Sequence, residues 1–241
     1  MNILAIDSTA VAASAALLED GKLLGETFLN VGLTHSCTLL PMIEALLHHA
    51  GVAAQDVDLF VVTNGPGSFT GVRIGVATIK GMAFPTDKPC VGVSTLHALA
   101  YNLQHADGYL CCAMDARCGQ VYTAIFEAKN GAIRRVSPDQ AISIEELGDQ
   151  LKSLEGRIFF IGDGAEICYE ALKETLPDAA LAPIHLRYQR ASSAGVAVWA
   201  EHWIDNAVGA DALEVSYLRL SQAERERNQK LEAQKNDSSR V

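Results

Sequence analysis

Apolar and polar positions alternate in short blocks along the chain, and the blocks predict strands interleaved with helices. Ile3 to Ile6 is an apolar run of the kind buried on both faces of a sheet. Val11 to Leu18 and Lys22 to Phe28 flank Asp20-Gly21, a dipeptide that tolerates positive φ at both positions and so predicts a tight hairpin. Thr34 is placed to cap a helix running to Ala50, with Gly51 as its left-handed terminator. Val57 to Thr63 predicts another buried strand. It leads through Asn64-Gly65-Pro66-Gly67-Ser68-Phe69-Thr70 into a helix ending near Phe84. Cys90 to Val93 is a further strand, and Ser94 caps the helix after it.

The second half repeats this order. Tyr109 to Met114 is a strand ending in Asp115, and Val121 to Glu127 pairs through Asn130-Gly131 with Ala132 to Val136. A helix capped by Ser143, the strand Arg157 to Ile161, and Gly162-Asp163-Gly164 opening a helix complete the series. Asp7 thus corresponds to Asp115, and Gly65-Pro66-Gly67 to Gly162-Asp163-Gly164. The expected fold is α/β, in two lobes from an internal duplication. The polar, turn-forming Gln104-His105-Ala106-Asp107-Gly108 sets the boundary, giving lobes at 1–103 and 104–205. Residues 206–221 are expected to return to the first lobe. Residues 222–241 are expected to be a charged, partly disordered tail, because Leu231 is their one large aliphatic before Val241.

Charge and composition narrow the function. The chain carries 19 Lys+Arg against 29 Asp+Glu, a formal net charge of −10. Binding nucleic acid through its own surface is disfavoured, because that binding rests on phosphate neutralisation. No stretch reaches the ~20 consecutive apolar residues of a bilayer span, and the N-terminus lacks a basic signal-peptide region, so a cytoplasmic protein is expected. The six cysteines form no C-x-x-C pair, and adjacent Cys111 and Cys112 read as buried thiols. His35, His48, His49, His97, His105, His185 and His202 include no i, i+4 pair, so no metal site is expected.

The two-lobed plan resembles the actin, Hsp70 and sugar-kinase superfamily (ASKHA, ribonuclease H-like), in which two carboxylates hold a metal–nucleotide and Gly-rich hairpins approach its phosphates. Asp7, Gly65, Gly67, Ser68, Thr70, Arg73 and Asp115 would form the corresponding nucleotide or anion site. That site reads as degenerate. Asp7-Ser8-Thr9-Ala10-Val11-Ala12-Ala13 contains no glycine, and Arg117 stands where a second Asp–Gly turn would be. The run Gly65 to Gly75 is no P-loop, since no Gly-Lys-Ser/Thr follows. It can offer free amides to an anion at a helix N-terminus. Alternatively, Gly71 and Gly75 on one helix face serve close packing, since each costs roughly 1 kcal/mol relative to alanine. On the helix 34–50, Leu39, Leu40, Met42, Ile43, Leu46 and Leu47 cover more than the ~100° stripe of a one-sided helix. Such a helix is deeply buried or docked on a partner.

Met1 to Ser8, His35-Ser36 with Leu39-Leu40-Pro41-Met42-Ile43, the Gly65–Gly75 run, Asp115-Ala116-Arg117 with Val121-Tyr122, Gly162-Asp163-Gly164 and Tyr217-Leu218-Arg219 together resemble the TsaB (YeaZ) family. Cys37 departs from that family, which commonly has an acidic residue there. The resemblance implies a non-catalytic subunit in tRNA threonylcarbamoyladenosine synthesis. It would form a heterodimer with its paralogue TsaD, which transfers threonylcarbamoyl to adenosine 37 of tRNAs reading ANN codons, and TsaE, an ATPase, would complete the complex. tRNA would be met only through the complex, and no membrane is involved. His35, the six apolar residues of helix 34–50, and Gly71 and Gly75 would face TsaD, or a second copy of the chain when TsaD is absent. No cofactor of its own is implied, with ADP or ATP confined to the interface of the complex. The competing readings are an ATP-dependent small-molecule kinase using Asp7 and Asp115, and a homodimeric scaffold unrelated to tRNA.

Overall fold

Residues 1–219 are described by a computed structural model. The first half runs β1 (Asn2–Asp7), β2 (Ala13–Glu19), β3 (Lys22–Leu29), α1 (His35–Ala50), β4 (Leu59–Gly65), α2 (Phe69–Ala83), β5 (Cys90–Ser94) and α3 (Thr95–Tyr101). The second runs β6 (Gly108–Asp115), β7 (Gln120–Lys129), β8 (Ala132–Arg135), β9 (Gln140–Ser143), α4 (Ile144–Lys152), β10 (Ile158–Ile161), α5 (Ala165–Leu172), β11 (Ala179–Leu181) and α6 (Ala191–Ala200). The strand orders are β3-β2-β1-β4-β5 and β8-β7-β6-β10-β11, one topology used twice, with β9 added beside β7. The two central strands, β1 and β6, end in Asp7 and Asp115.

Local chemistry explains most boundaries. Asp20 and Gly21 (φ 48° and 79°) and Asn130 and Gly131 (φ 52° and 78°) make the two hairpin turns with the left-handed backbone these residues tolerate. Ser143 and Glu146 form a reciprocal capping box on α4. Gly51 (φ 69°) terminates α1, but the Thr34 hydroxyl makes no capping bond to the start of that helix. Three elements carried no signal in the sequence reading: β9, β11 and α6.

The first sheet is covered on both faces, and period-two alternation decides which residue goes where. Leu4, Ile6, Phe60 and Val62 pack on one face under α1 and α2. Ile3, Ala5, Leu59 and Val61 pack on the other against Ala191, Ala194 and Val198 of α6. In the second sheet, Cys111, Ala113 and Phe160 lie under α4 and α5, and Leu110, Cys112 and Met114 meet Leu96, Leu99 and Ala100 of α3. Each half therefore lends its last helix to the other half's sheet. Residues 104–205 are for this reason not a self-contained lobe, since α6 is core to the first sheet. Cys111 and Cys112 are buried thiols held well above the usual range by desolvation.

The exchanged helices are joined by a polar network. His97 Nε2 meets Glu201 Oε1 at 2.7 Å, and the Tyr101 hydroxyl donates to the same oxygen. Ser94 Oγ donates to Asp139, which also pairs with Arg135. Burial lowers the His97 pKa, against the attraction of Glu201. Residues 206–219 return along the first lobe: Val208 bridges to Cys90, and Ala210 and Leu213 enter the α1–α2 core. The stretch 222–241 lies outside the described residues.

Packing of α1 and α2 corrects part of the expected partner face. Leu39, Met42, Ile43, Leu46 and Leu47 are all buried in the chain's own core, because the sheet, α2 and the returning 206–219 segment pack around the helix. Leu40 alone of the six is exposed, at 45%. Gly71 and Gly75 do permit a close approach, but to this chain's Ser8. A Cβ on Gly71 would overlap the Ser8 carbonyl oxygen, and one on Gly75 would lie 2.6 Å from Ser8 Oγ. The Ser8 hydroxyl donates to the Gly71 carbonyl across that contact.

Two alanine variants of α2 test this. Gly71→Ala should destabilise the protein by about 1–3 kcal/mol through overpacking. Gly81→Ala, in the same helix with open space around it, should stabilise by ~0.5–1 kcal/mol. Urea unfolding midpoints read both, and a Gly71→Ala protein as stable as the parent would show that the Ser8 turn yields.

Candidate functional site

A cleft of about 610 Å³ lies between the lobes. Thr9, Ala10, Val11 and the segment from Pro66 to Thr70 line it from the first lobe. Met114 to Arg117, Tyr122 and Asp163 line it from the second, and Ser216 to Arg219 close one side. The duplicated topology produces this convergence: β1 and β6 both end toward the cleft, and so do the turns that open α2 and α5.

The site is mixed in charge. The N-terminus of α2 faces the cleft, with Ser68 Oγ accepting from the Gly71 amide as its cap. Asp115 accepts from the Arg117 backbone amide at 2.7 Å. Arg117 and Cys118 take consecutive left-handed conformations (φ 63° and 53°), uncommon for such side chains. Asp163 accepts from Gln189 Nε2 at 2.6 Å. Burial, reinforced by the charges of Asp115 and Asp7, lifts its carboxyl from 3.8 to about 6.

Of the residues expected here, Gly67, Ser68, Thr70 and Asp115 do line the cleft. Asp7 does not. It is 1% exposed, its Oδ1 accepts from both the amide and the hydroxyl of Thr9, and burial raises its pKa. Gly65 is covered by Ser216, whose carbonyl oxygen a Cβ at that position would overlap. Arg73 turns from the cleft to lie 3.7 Å over the Phe69 ring, and its Nε donates to the Tyr217 hydroxyl. Sequence reasoning missed Asp163 as a site residue, although its place in the duplication pointed to it. It missed the 216–219 segment as well. Among the described residues, no three His, Cys, Asp or Glu side chains converge as metal ligands would. No helix among them is long and apolar enough to cross a membrane.

A second surface lies at the start of α1. Val31, Leu33 and Leu40 are all exposed apolar residues there. His35 is half-buried, its Nε2 donating to the Ala10 carbonyl at 2.7 Å. It therefore fastens α1 to the β1–β2 turn inside the chain.

Comparison with known proteins gives a consistent result. A family model described as TsaD, tRNA N6-adenosine threonylcarbamoyltransferase, matches residues 30–226. The chain is 36% identical over 176 residues to the tRNA threonylcarbamoyladenosine biosynthesis protein TsaB of Bacillus subtilis, covering 73% of this chain and 77% of that one. It is 33% identical over 178 residues to TsaB of Escherichia coli, with the same 73% and 77% coverage. YeaZ from Pseudomonas aeruginosa superposes with a TM-score of 0.74 at 28% identity, over 90% of this chain and 99% of that one. The (R)-2-hydroxyglutaryl-CoA dehydratase component A of Acidaminococcus fermentans shares the fold alone, at a TM-score of 0.50 and 14% identity, over 83% and 98% of the two chains. The architecture is thus the actin-like one.

The raised Asp163 carboxyl gives a test with a defined sign. The folded state binds this proton more tightly than the unfolded chain, so stability falls as pH rises from about 4 to about 6 and is level above. Asp163→Asn should match the parent near pH 4 and be more stable at pH 7. The gain should be about 1–2 kcal/mol, below the ~3 kcal/mol of full desolvation because Asp163 keeps some solvent contact. Urea unfolding at both pH values reads the difference; a constant offset would place the strain elsewhere.

Proposed function

The chain belongs to the TsaB (YeaZ) family of tRNA threonylcarbamoyladenosine biosynthesis proteins, and from that premise we propose that it performs no chemistry itself but binds and activates the transferase TsaD. The observation that carries this reading is the burial of Asp7. A carboxylate meant to hold a metal–nucleotide must face the cleft, whereas this one is buried inside the fold with its Oδ1 taken by Thr9. Its partner in the duplication, Asp115, is tied to the turn that holds Arg117. The same burial weighs against the kinase reading.

Three further features support an accessory role. The net charge of −10 disfavours holding tRNA unaided, so tRNA is met through the complex. The family model that matches most of the chain is that of the transferase itself, which fits a pairing of related lobes. Val31, Leu33 and Leu40 offer an exposed apolar strip at the start of α1 that a partner helix can cover. In this reading TsaD occupies the strip in the cytoplasm, a second copy of the chain occupies it when TsaD is absent, and TsaE joins the pair. Any ADP or ATP belongs to the interface of the complex. Activation requires that the strip bind the competent conformation of TsaD more tightly than the idle one.

Two experiments bear on this. Purified TsaD, TsaE, tRNA and threonylcarbamoyl-AMP should yield repeated cycles of modified tRNA only when the chain is added, counted by mass spectrometry of nucleosides; equal yields without it would refute activation, and product from the chain alone would refute the accessory role. Leu40→Asp should keep the parent melting temperature yet weaken TsaD binding roughly 10²-fold, whereas Leu39→Asp should fail to fold, since it buries an unpaired charge. A Leu40→Asp protein that still binds TsaD at parental affinity places the interface elsewhere.

A further inference from the structure

The last described residues cross from one lobe to the other beside the cleft. Their hold on the first lobe is extensive. The Ser216 amide donates to the Asn64 carbonyl at 2.8 Å, and Asn64 Nδ2 donates to the Glu214 carbonyl at 2.9 Å. The Tyr217 ring stacks on Phe69 with centroids 5.1 Å apart, and its hydroxyl accepts from Arg73 Nε at 2.6 Å. Gly65, with φ 127° and no side chain, leaves the room that Ser216 occupies. Among the described residues the hold on the second lobe is slight by comparison: Arg219 Nη1 donates to the Ala116 carbonyl at 3.2 Å. That carbonyl is presented by a tight turn. The Ala116 amide donates to Gln120, the Gln120 amide donates to Arg117, and Arg117 and Cys118 are both left-handed. Backbone of this kind persists only where its surroundings over-determine it.

We propose that residues 214–219 form a latch on the interlobe cleft, fixed to the first lobe and releasable from the second at the Arg219–Ala116 bond. The asymmetry of the two anchors is the reason. The first-lobe anchor combines two backbone-carbonyl bonds, an aromatic stack and a tyrosine–arginine bond, and it does not depend on the second lobe. Among the described residues the second-lobe anchor is one charge-assisted bond from an arginine at the cleft's edge. Among the described residues the lobes are further joined through α3, α6, the His97 network and Ala10, which packs with the second-lobe core. The latch therefore sets how far the cleft opens about them. It rests on this geometry and not on the partnership with TsaD.

The full-length chain provides its own reporters. Cys37 on α1 and Cys118 on the β6–β7 turn are exposed thiols on opposite lobes, and the other four cysteines are buried. Spin labels on these two should give one narrow distance in the parent protein. Arg219→Ala should raise the longer-distance population about tenfold, as expected for loss of one hydrogen bond to a charged group. Arg219→Lys, which can still donate, should restore the narrow distribution. The Ser216 amide should keep its parental hydrogen-exchange protection in both variants, because its anchor lies on the first lobe. An unchanged distance in Arg219→Ala overturns the latch. So does a distance change accompanied by loss of Ser216 protection, since the segment would then be one piece of the fold with no releasable end.

Discussion

Among the described residues two sheets with four apolar faces have to be covered by six α-helices, and the chain solves this by exchange. α1 and α2 cover one face of the first sheet, and α4 and α5 cover one face of the second. The remaining faces look toward each other across the molecule, and the helices between them are α3 and α6, each supplied by the other half. All seven residues of α3 are buried, as a helix between two layers must be. The position of the cleft, the mutual approach of Asp115 and Asp163, and the route of the C-terminal segment all follow from this shared middle layer.

The duplication was readable because its signals are local. Asp20-Gly21, Asn130-Gly131, Gly51 and the Ser143–Glu146 box each act within a few residues, and each works in the structure as its chemistry requires. α6 gave no such signal. Ala-Ser-Ser-Ala-Gly-Val-Ala has no polar face because a sheet and α3 leave it almost none to show. The breadth of apolar residues on α1 was visible, but not what covered them. A wide stripe reads alike whether the chain's own core or a partner meets it, and here the chain's own core takes five of the six residues.

The site was legible to a similar depth. Gly67, Ser68, Thr70 and Asp115 follow from a strand-to-helix turn and a strand end, which sequence spacing fixes. The fate of Asp7 does not follow from spacing, because it depends on how Thr9 folds back onto its carboxylate. Nor does the place of Tyr217, whose partners Phe69 and Arg73 are about 145 residues away in sequence. A glycine such as Gly71 announces that something comes close. Only the packed structure says that it is Ser8.

The exchange of α3 and α6 also governs how the molecule comes into being on the ribosome. The amide of Ala191 donates to the hydroxyl of Ser14, a bond spanning 177 residues. The face of the first sheet bearing Ile3, Ala5, Leu59 and Val61 lacks its α6 cover after β5 is made, until α6 is translated. At ~5–20 residues per second that interval lasts roughly 5–20 s, during which a nascent sheet shows an apolar surface to solvent. The N-terminal half is accordingly without part of its core until the second half is made. Contacts this distant in sequence place the chain among slow folders, whose nascent forms need shielding from aggregation.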